Sequence, residues 1–296
     1  MNSTATISNA TSTITNATND AWQVPYEQSL NGAVFAGAVA WGIHTFVFIR
    51  CLYAIDSKWV MASLKWLPVA CTLFATATTN VFCSFKFNEL AWIQQRGYPG
   101  GPIAFFAEQQ SHPLHVAAVG SATIALISSY AFMIYRNHSL WNKRFFTIIM
   151  SLSLLLDSVD AFGNFVKLGG TPPWDGVSRD FTKPAYSLLV FPQMFLCLSL
   201  LSRELYLCKR SKWDLIVVVR GDPQTMMEYN ERYPFWIESA IPLWLLTVVT
   251  TFVRVKGTIA SPVTISLFVQ VAPTMAELMI THMVRDSGSS KESLAL

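Results

Sequence analysis

Residues 28–49 read QSLNGAVFAGAVAWGIHTFVFI, and no Asp, Glu, Lys or Arg interrupts these 22 positions. About 20 mostly apolar residues are enough for a helix to cross the hydrocarbon core of a bilayer. The stretch therefore predicts a transmembrane helix, and this decides the class of the protein.

Six further segments meet or approach the same length. We predict spans at about 30–54, 62–85, 113–135, 145–166, 184–207, 235–253 and 258–284. The fourth span contains two aspartates, and the sixth is short and begins with Glu238. Charged residues make up 13% of the chain, whereas a soluble domain carries roughly 25%. The predicted fold class is an all-α polytopic membrane protein, a seven-transmembrane-helix bundle.

The basic residues orient the bundle. Residues 1–29 contain no Lys or Arg, and the first basic residue is Arg50. Segments without basic residues are translocated more readily, so we expect the N-terminus outside and the C-terminus inside. Of the 21 Lys and Arg, 14 then flank the inner ends of the spans and 7 flank the outer ends. The predicted domains are a disordered extracellular or lumenal tail (1–29), the transmembrane domain (30–284) and a disordered cytoplasmic tail (285–296).

The polar tail carries three Asn-x-Ser/Thr triplets, at Asn2, Asn9 and Asn16. Each triplet is a glycan acceptor if the tail enters the lumen of the secretory pathway. The sequence therefore predicts a glycoprotein in the plasma membrane or in a membrane of the secretory pathway.

Polar residues inside the spans predict a candidate ligand pocket. Asp157, Asp160 and Asn164 are spaced i, i+3 and i+7, which places them on one face of the fourth helix. Asn80 on the second span and His115 on the third fall at a comparable outer depth. These five residues form a predicted pocket open to the outside, in which the two carboxyls can share one proton. The alternatives are interhelical hydrogen bonding and a fourth span that begins lower in the membrane.

A second polar set lies toward the predicted cytoplasmic side, where it forms either salt bridges between helix ends or simple interface anchors. Its members are Glu238, Glu277, His282, Arg136 and Arg203. His44 stands alone on the first span, and we expect it to be a core histidine with a satisfied hydrogen bond.

The connection after the second span reads RGYPGGPIAFF, residues 96–106. Pro99 fixes φ, while Gly100 and Gly101 permit positive φ, so a tight turn is expected. A phosphate-binding loop would need a helix N-terminus and usually a Lys. The stretch has no such Lys and lies on the predicted outer side, so we assign it a structural role.

The same stretch resembles a signature of uncharacterised seven-helix membrane proteins of mushroom-forming (basidiomycete) fungi, in which YPGGP is followed by Phe. The Glu-Ser-Ala of residues 238–240 and the Val-Ala-Pro-Thr of residues 271–274 are similar to motifs of that family. Where the family often has an acidic residue and an Arg late in the third span, this chain keeps only Arg136. The resemblance implies a seven-helix bundle and supplies no activity.

No pattern in the chain favours an enzyme. The last span lacks the Lys that a retinal pigment needs, the histidines are scattered, and no Gly-x-Ser-x-Gly elbow occurs. We expect no cofactor and no metal. The net charge of +3 comes from dispersed basic residues, which argues against nucleic-acid binding.

Two functions fit these features. The first is a receptor-like sensor of an unknown ligand, which meets a cytoplasmic partner at the loop formed by residues 203–234. The alternative is a transporter or channel that uses the carboxylates of the fourth span to move protons or cations. The lipid bilayer is the other expected partner.

Overall fold

The computed structural model describes residues 3–57, 64–141, 144–169, 242–253, 256 and 260–292, and no strand occurs in those ranges. The described helices are α1 (Ser3–Ser57), α2 (Leu67–Glu89), α3 (Gly101–Glu108), α4 (Pro113–Trp141), α5 (Arg144–Gly169), α6 (Pro242–Val253) and α7 (Ser261–Glu292). A π-helical turn, Leu90–Gln94, extends α2. This part of the chain is therefore all-helical. The predicted fifth span, 184–207, lies outside the described residues.

Four helical segments are long and apolar enough to cross a membrane: Val24–Asp56, Leu67–Gln94, Pro113–Ser139 and Ser261–Val284. They coincide with the first, second, third and seventh predicted spans, so membrane-length helices at these four places are confirmed. Shorter apolar helices, Thr147–Leu156 and Pro242–Val253, fall within the fourth and sixth predicted spans. The length and composition of these helices indicate a membrane protein.

Neither predicted domain boundary coincides with the end of a helix. Helix α1 begins at Ser3 and runs through position 29, and α7 continues past position 284 to Glu292. The composition of both tails predicts disorder because it offers little apolar surface to bury. The disorder of the two tails and their boundaries stay predictions.

Helix α1 has one exposed face of large apolar side chains and one buried face of mostly small ones. Its exposed large apolar side chains include Phe35, Val39, Ile43 and Phe46. Its buried face carries mostly small side chains, among them Ala33 and Ala40. A soluble protein rarely exposes so long an apolar stripe. The exposed face of α1 is therefore suited to lipid, and the small residues let a neighbouring helix approach closely.

The connection between α2 and α4 covers one end of the bundle, which we call the loop end; the opposite end is the far end. Gly100 and Gly101 have φ values of +84° and +79°, and the amide of Gly101 donates to the carbonyl oxygen of Tyr98 at 2.8 Å. The tight turn therefore forms where the sequence predicts it. Helix α3 follows the turn, and its Phe105 and Phe106 pack against Phe87 of α2 with ring centroids 5.8 and 4.9 Å apart.

The turn is tied to α3 by one charged contact outside the apolar helices. Tyr98 Oη donates to Glu108 Oε2 at 2.7 Å. This hydrogen bond to a carboxylate raises the pKa of Tyr98, because a phenolate would face a negative charge.

Helices α1 and α7 pack together along their lengths and run in the same direction. Gly32 faces Val263 near the loop end, and His44 faces Glu277 farther along both helices. Between these two levels, Gly37 lies directly against Ser266. The absence of a side chain at position 37 is what allows this close approach.

Helix α2 runs antiparallel to both α1 and α4. Trp41 of α1 donates to Thr78 Oγ1 of α2 at 3.0 Å. Asn80 of α2 donates through Nδ2 to the carbonyl oxygen of Ala118 in α4 at 2.9 Å. Helix α4 then leads to α5 at the far end, where His138 Nδ1 lies 2.8 Å from Thr147 Oγ1.

The main hydrophobic core fills the far half of the bundle. Cys51, Leu73, Met133 and Ile280 belong to it, and so does Leu243 at the start of α6. Because these partners lie in the far halves of α1, α2, α4 and α7, α6 also starts at the far end. A smaller cluster around Phe87 and Phe105 occupies the loop end.

Candidate functional site

A cavity of about 500 Å³ lies near the loop end, between α1, α2, α4 and α7. This volume is within the roughly 300–1,000 Å³ of pockets that hold small organic ligands. Small side chains leave space there, since Ala33 of α1 and Ala118 and Ala122 of α4 line the cavity. Phe87 and Phe106 line the cavity from α2 and α3, so the loop end contributes to its walls.

Helix α2 supplies a polar strip to the wall. Asn80, Ser84 and Asn88 line the cavity at a spacing of four residues, which places them on one face of the helix. Asn80 Nδ2 is committed to the carbonyl oxygen of Ala118. Asn88 Nδ2 donates to Asn31 Oδ1 at 3.0 Å, but its own Oδ1 has no hydrogen-bond partner within the described part of the chain.

Helix α4 adds His115, the first polar side chain on the cavity wall of that helix. Its ring lies against Phe87, with centroids 5.1 Å apart, and His112 lies against the same ring at 5.7 Å. The two histidines therefore share one aromatic neighbour at the loop end. His115 is the wall residue that could change its charge.

Two of the five residues in the predicted pocket meet at this cavity. Asn80 and His115 both line it, as expected from their depths in the second and third spans. Asp157, Asp160 and Asn164 lie on α5, which packs against α4, and their side chains are outside the described residues. The participation of these three residues therefore stays a prediction.

A second polar element lies deeper in the bundle, where α1 meets α7. His44 Nε2 is 3.1 Å from Glu277 Oε1, and both side chains are 0% exposed. The contact is an ion-pair approach, because neither atom meets hydrogen-bond geometry within the described residues. The edge of the His44 ring packs against Phe74 of α2, with centroids 5.6 Å apart. The pair is ionic if His44 holds the proton and neutral if Glu277 does. Complete burial among apolar helices makes its disruption costly.

Glu277 belongs to a buried polar stripe that follows one face of α7. The stripe comprises Gln270, Thr274, Glu277 and Thr281. The amide Nε2 of Gln270 donates to the carbonyl oxygen of Ala77 at 3.1 Å and so joins α7 to α2. Val269, beside Gln270, lines the cavity, and Glu277 lies eight residues farther, about 12 Å along the helix. One helix thus connects the cavity wall to the buried pair.

The His44–Glu277 pair was not predicted. The sequence placed Glu277 in an inner set with Arg136 and His282, which are partly buried at the far end, whereas the structure pairs Glu277 with His44. The available signal was the i, i+4, i+7, i+11 spacing of polar residues on the seventh span, which marks a buried face. Glu238 and Arg203, the other members of that set, lie outside the described residues.

The predicted glycan sites are not described at the level of side chains. Asn9 and Asn16 lie on the N-terminal part of α1, and Asn2 lies outside the described residues. Within the described ranges, no three His, Cys, Asp or Glu side chains come together as metal ligands would. In comparisons with known proteins, the chain matches no family model, and no curated protein or solved structure is significantly similar to it.

Proposed function

We propose that this chain is a receptor-like sensor with seven transmembrane helices, an outside N-terminus and an inside C-terminus. The ligand would bind in the cavity at the loop end. The observation that carries the proposal is the cavity of about 500 Å³ lined by four helices, one of which continues to the buried His44–Glu277 pair.

The directions of the helices support seven spans. Helices α1, α4 and α7 run away from the loop end, while α2, α5 and α6 run toward it. The chain leaves α5 at the loop end and enters α6 at the far end, so it must cross between them an odd number of times. The segment 184–207 is the apolar stretch of membrane length in that interval. One crossing there brings the total to seven.

The distribution of charge supports an outside loop end. The basic-free N-terminal tail leads into α1 at this end, and the far end holds Arg50, Lys65 and Arg144. At the loop end, Lys86 is paired with Glu89 at 2.8 Å. Basic residues are retained on the cytoplasmic side of a membrane, so the far end is assigned to the cytoplasm. The turn motif YPGGP then lies outside, and the resemblance to the fungal seven-helix family remains a proposal based on that motif.

A sensor also needs a route from ligand to partner. A ligand that binds one arrangement of α1 and α7 better than another shifts the equilibrium between them. Such a shift would change the tight contact at Gly37 and the buried pair at His44. The proposed cytoplasmic partner would bind the loop 203–234, which lies outside the described residues.

Proton-coupled transport is the second candidate, and the buried pair favours it. Ionisable residues inside spans commonly mark proton paths, and His44 and Glu277 can exchange one proton between them. Proteoliposomes with an imposed pH gradient separate the two functions. A transporter dissipates the gradient faster than protein-free vesicles, and a His44→Leu, Glu277→Leu variant does not. A sensor leaves the gradient unchanged.

The sensor proposal is tested by identifying the molecules that stay bound to the purified protein. The wild-type chain and Ala122→Phe, which fills the cavity, are purified in parallel from native membranes, and the molecules released on denaturation are compared by mass spectrometry. We expect a compound that is retained near one equivalent by the wild type and depleted at least tenfold in the variant. Identical profiles from two folded proteins would contradict a ligand site in the cavity.

A further inference from the structure

The wall of the cavity is electrically neutral along the described part of the chain. Its lining comes from α1, α2, α3, α4 and α7 and includes no Asp, Glu, Lys or Arg. A charged ligand would have to leave water without a countercharge, which is expensive. The described part of the wall therefore favours uncharged molecules.

The two ends of the cavity differ in polarity. Asn88 and His115 line the part near the loop end, whereas Leu126 and Val269 line the part that faces the bundle core. His115 and Leu126 are eleven residues apart on α4, so the cavity extends about 16 Å along that helix. An occupant that fits this gradient is elongated, with a polar group at the loop end and an apolar body below it.

The polar end offers an unused acceptor. Asn88 Oδ1 is buried and has no hydrogen-bond partner in the described ranges, while Nδ2 of the same side chain is held by Asn31. A buried polar atom without a partner costs free energy, and a ligand that donates a hydrogen bond removes the cost. Asn88 lines the cavity, so a ligand would reach this oxygen once the amide rotates toward the cavity.

We propose that the cavity binds a neutral, elongated amphipathic molecule whose hydroxyl donates to Asn88 and whose apolar body extends toward Leu126 and Val269. This inference rests on the proposed ligand site and adds the chemical class of the ligand. The volume of about 500 Å³ has room for on the order of 15 groups of the size of water. A fatty alcohol of twelve carbons has this size. The same chemistry occurs in neutral hydroxylated lipids of the bilayer and in free alcohols.

The test uses the full chain in phosphatidylcholine nanodiscs with a diazirine-bearing dodecan-1-ol as photoprobe. Peptide mass spectrometry maps the labelled residues, which we expect on the α2 and α4 walls of the cavity. Dodecan-1-ol, dodecane and dodecanoate then compete at equal mole fractions in the membrane. We expect the alcohol to compete at about fivefold lower concentration than the alkane, as one neutral hydrogen bond provides, and dodecanoate to be the weakest.

Three variants assign the effect to the proposed contacts. Asn88→Leu should make the alcohol and the alkane equal competitors while labelling persists. Asn31→Ala is the matched control, because it breaks the same interhelical hydrogen bond and keeps Asn88; the preference for the alcohol should survive. Ala122→Phe should abolish labelling of the cavity wall.

The outcomes separate the ligand class from the ligand site. If the alcohol and the alkane compete equally in the wild type, and Ala122→Phe abolishes labelling, the site stands and the proposed class is wrong. If Ala122→Phe leaves labelling unchanged, the site itself is wrong. Competition by monolaurin assigns the source to the bilayer, and competition by octan-1-ol added from water assigns it to a free molecule. If neither monolaurin nor octan-1-ol competes with the photoprobe, the proposal is overturned.

Discussion

Loss of either partner of the buried His44–Glu277 pair should strongly destabilise the bundle. The two side chains are 0% exposed and 3.1 Å apart. Removing one partner of a buried pair leaves the other without compensation, at a cost of roughly 3–5 kcal/mol. We therefore expect losses of this size for His44→Leu and for Glu277→Leu. The Glu277→Gln change keeps the size and one hydrogen-bonding oxygen, so it should cost less, about 1 kcal/mol.

The double variant provides the decisive contrast. With both partners replaced by Leu, no polar group is left stranded, and such replacements are often neutral or stabilising by roughly 1–4 kcal/mol. The double variant should therefore be more stable than either single variant. The assay is equilibrium unfolding in mixed micelles with increasing dodecyl sulfate, monitored by tryptophan fluorescence.

A second pair of single variants and their double variant, which together form a double-mutant cycle, serves as the control. Gln270 is also fully buried on α7, but it lies two helical turns from Glu277, and His44→Leu with Gln270→Leu should be additive within about 0.5 kcal/mol. If the His44 and Glu277 losses also simply add, the two side chains do not interact, and the link between α1 and α7 has been assigned wrongly.

Four further outcomes can be measured on the full chain. Gly37→Leu should cost roughly 1–3 kcal/mol because the new side chain collides with Ser266; Gly42→Leu, which meets nothing within 4 Å, should be near neutral in the same unfolding assay. Gly100→Ala, at φ +84° and with Cβ 2.8 Å from that of Ala104, should lower the melting temperature more than Gly101→Ala, and equal effects would contradict the turn geometry. Glycosidase should increase the gel mobility of the wild type, and Asn2, Asn9 and Asn16→Gln together should remove that shift; no shift from a glycosylating host would refute the outside N-terminus. Glu108→Gln should lower the raised pKa of Tyr98 in an ultraviolet titration referenced to Tyr98→Phe. The stabilisation from this contact should be complete below the unfolded pKa of about 10 and should be lost as pH rises through the raised folded-state pKa.

Run length was sufficient to predict the first, second, third and seventh spans, because the minimum length of a membrane helix is set by the bilayer. The turn at Gly100 was equally predictable, since few residues other than Gly adopt positive φ without strain. Asn80 and His115 could be placed at one depth by counting from the connection between their helices. That count works because α2 and α4 are antiparallel neighbours joined by a local segment.

The buried pair could not be predicted in the same way. His44 and Glu277 are far apart in sequence, and their contact depends on α1 packing in parallel with α7. The apolar periodicity of each helix does not identify the helix that packs against it. Gly37 permits the close approach of α1 and α7, but only once that pairing is known. The cavity could not be predicted from a sequence pattern either, because it depends on volume that Ala118 and Ala122 leave unfilled.

The central claim is that a seven-span bundle holds a ligand between α1, α2, α4 and α7. The most direct measurement is an electron cryomicroscopy map of the full chain in nanodiscs prepared from the membranes of its own host. We expect seven crossings, with 184–207 and 235–253 among them, and elongated non-protein density in the cavity with its head near Asn88. Five crossings, or a cavity closed by repacked side chains without such density, would contradict it.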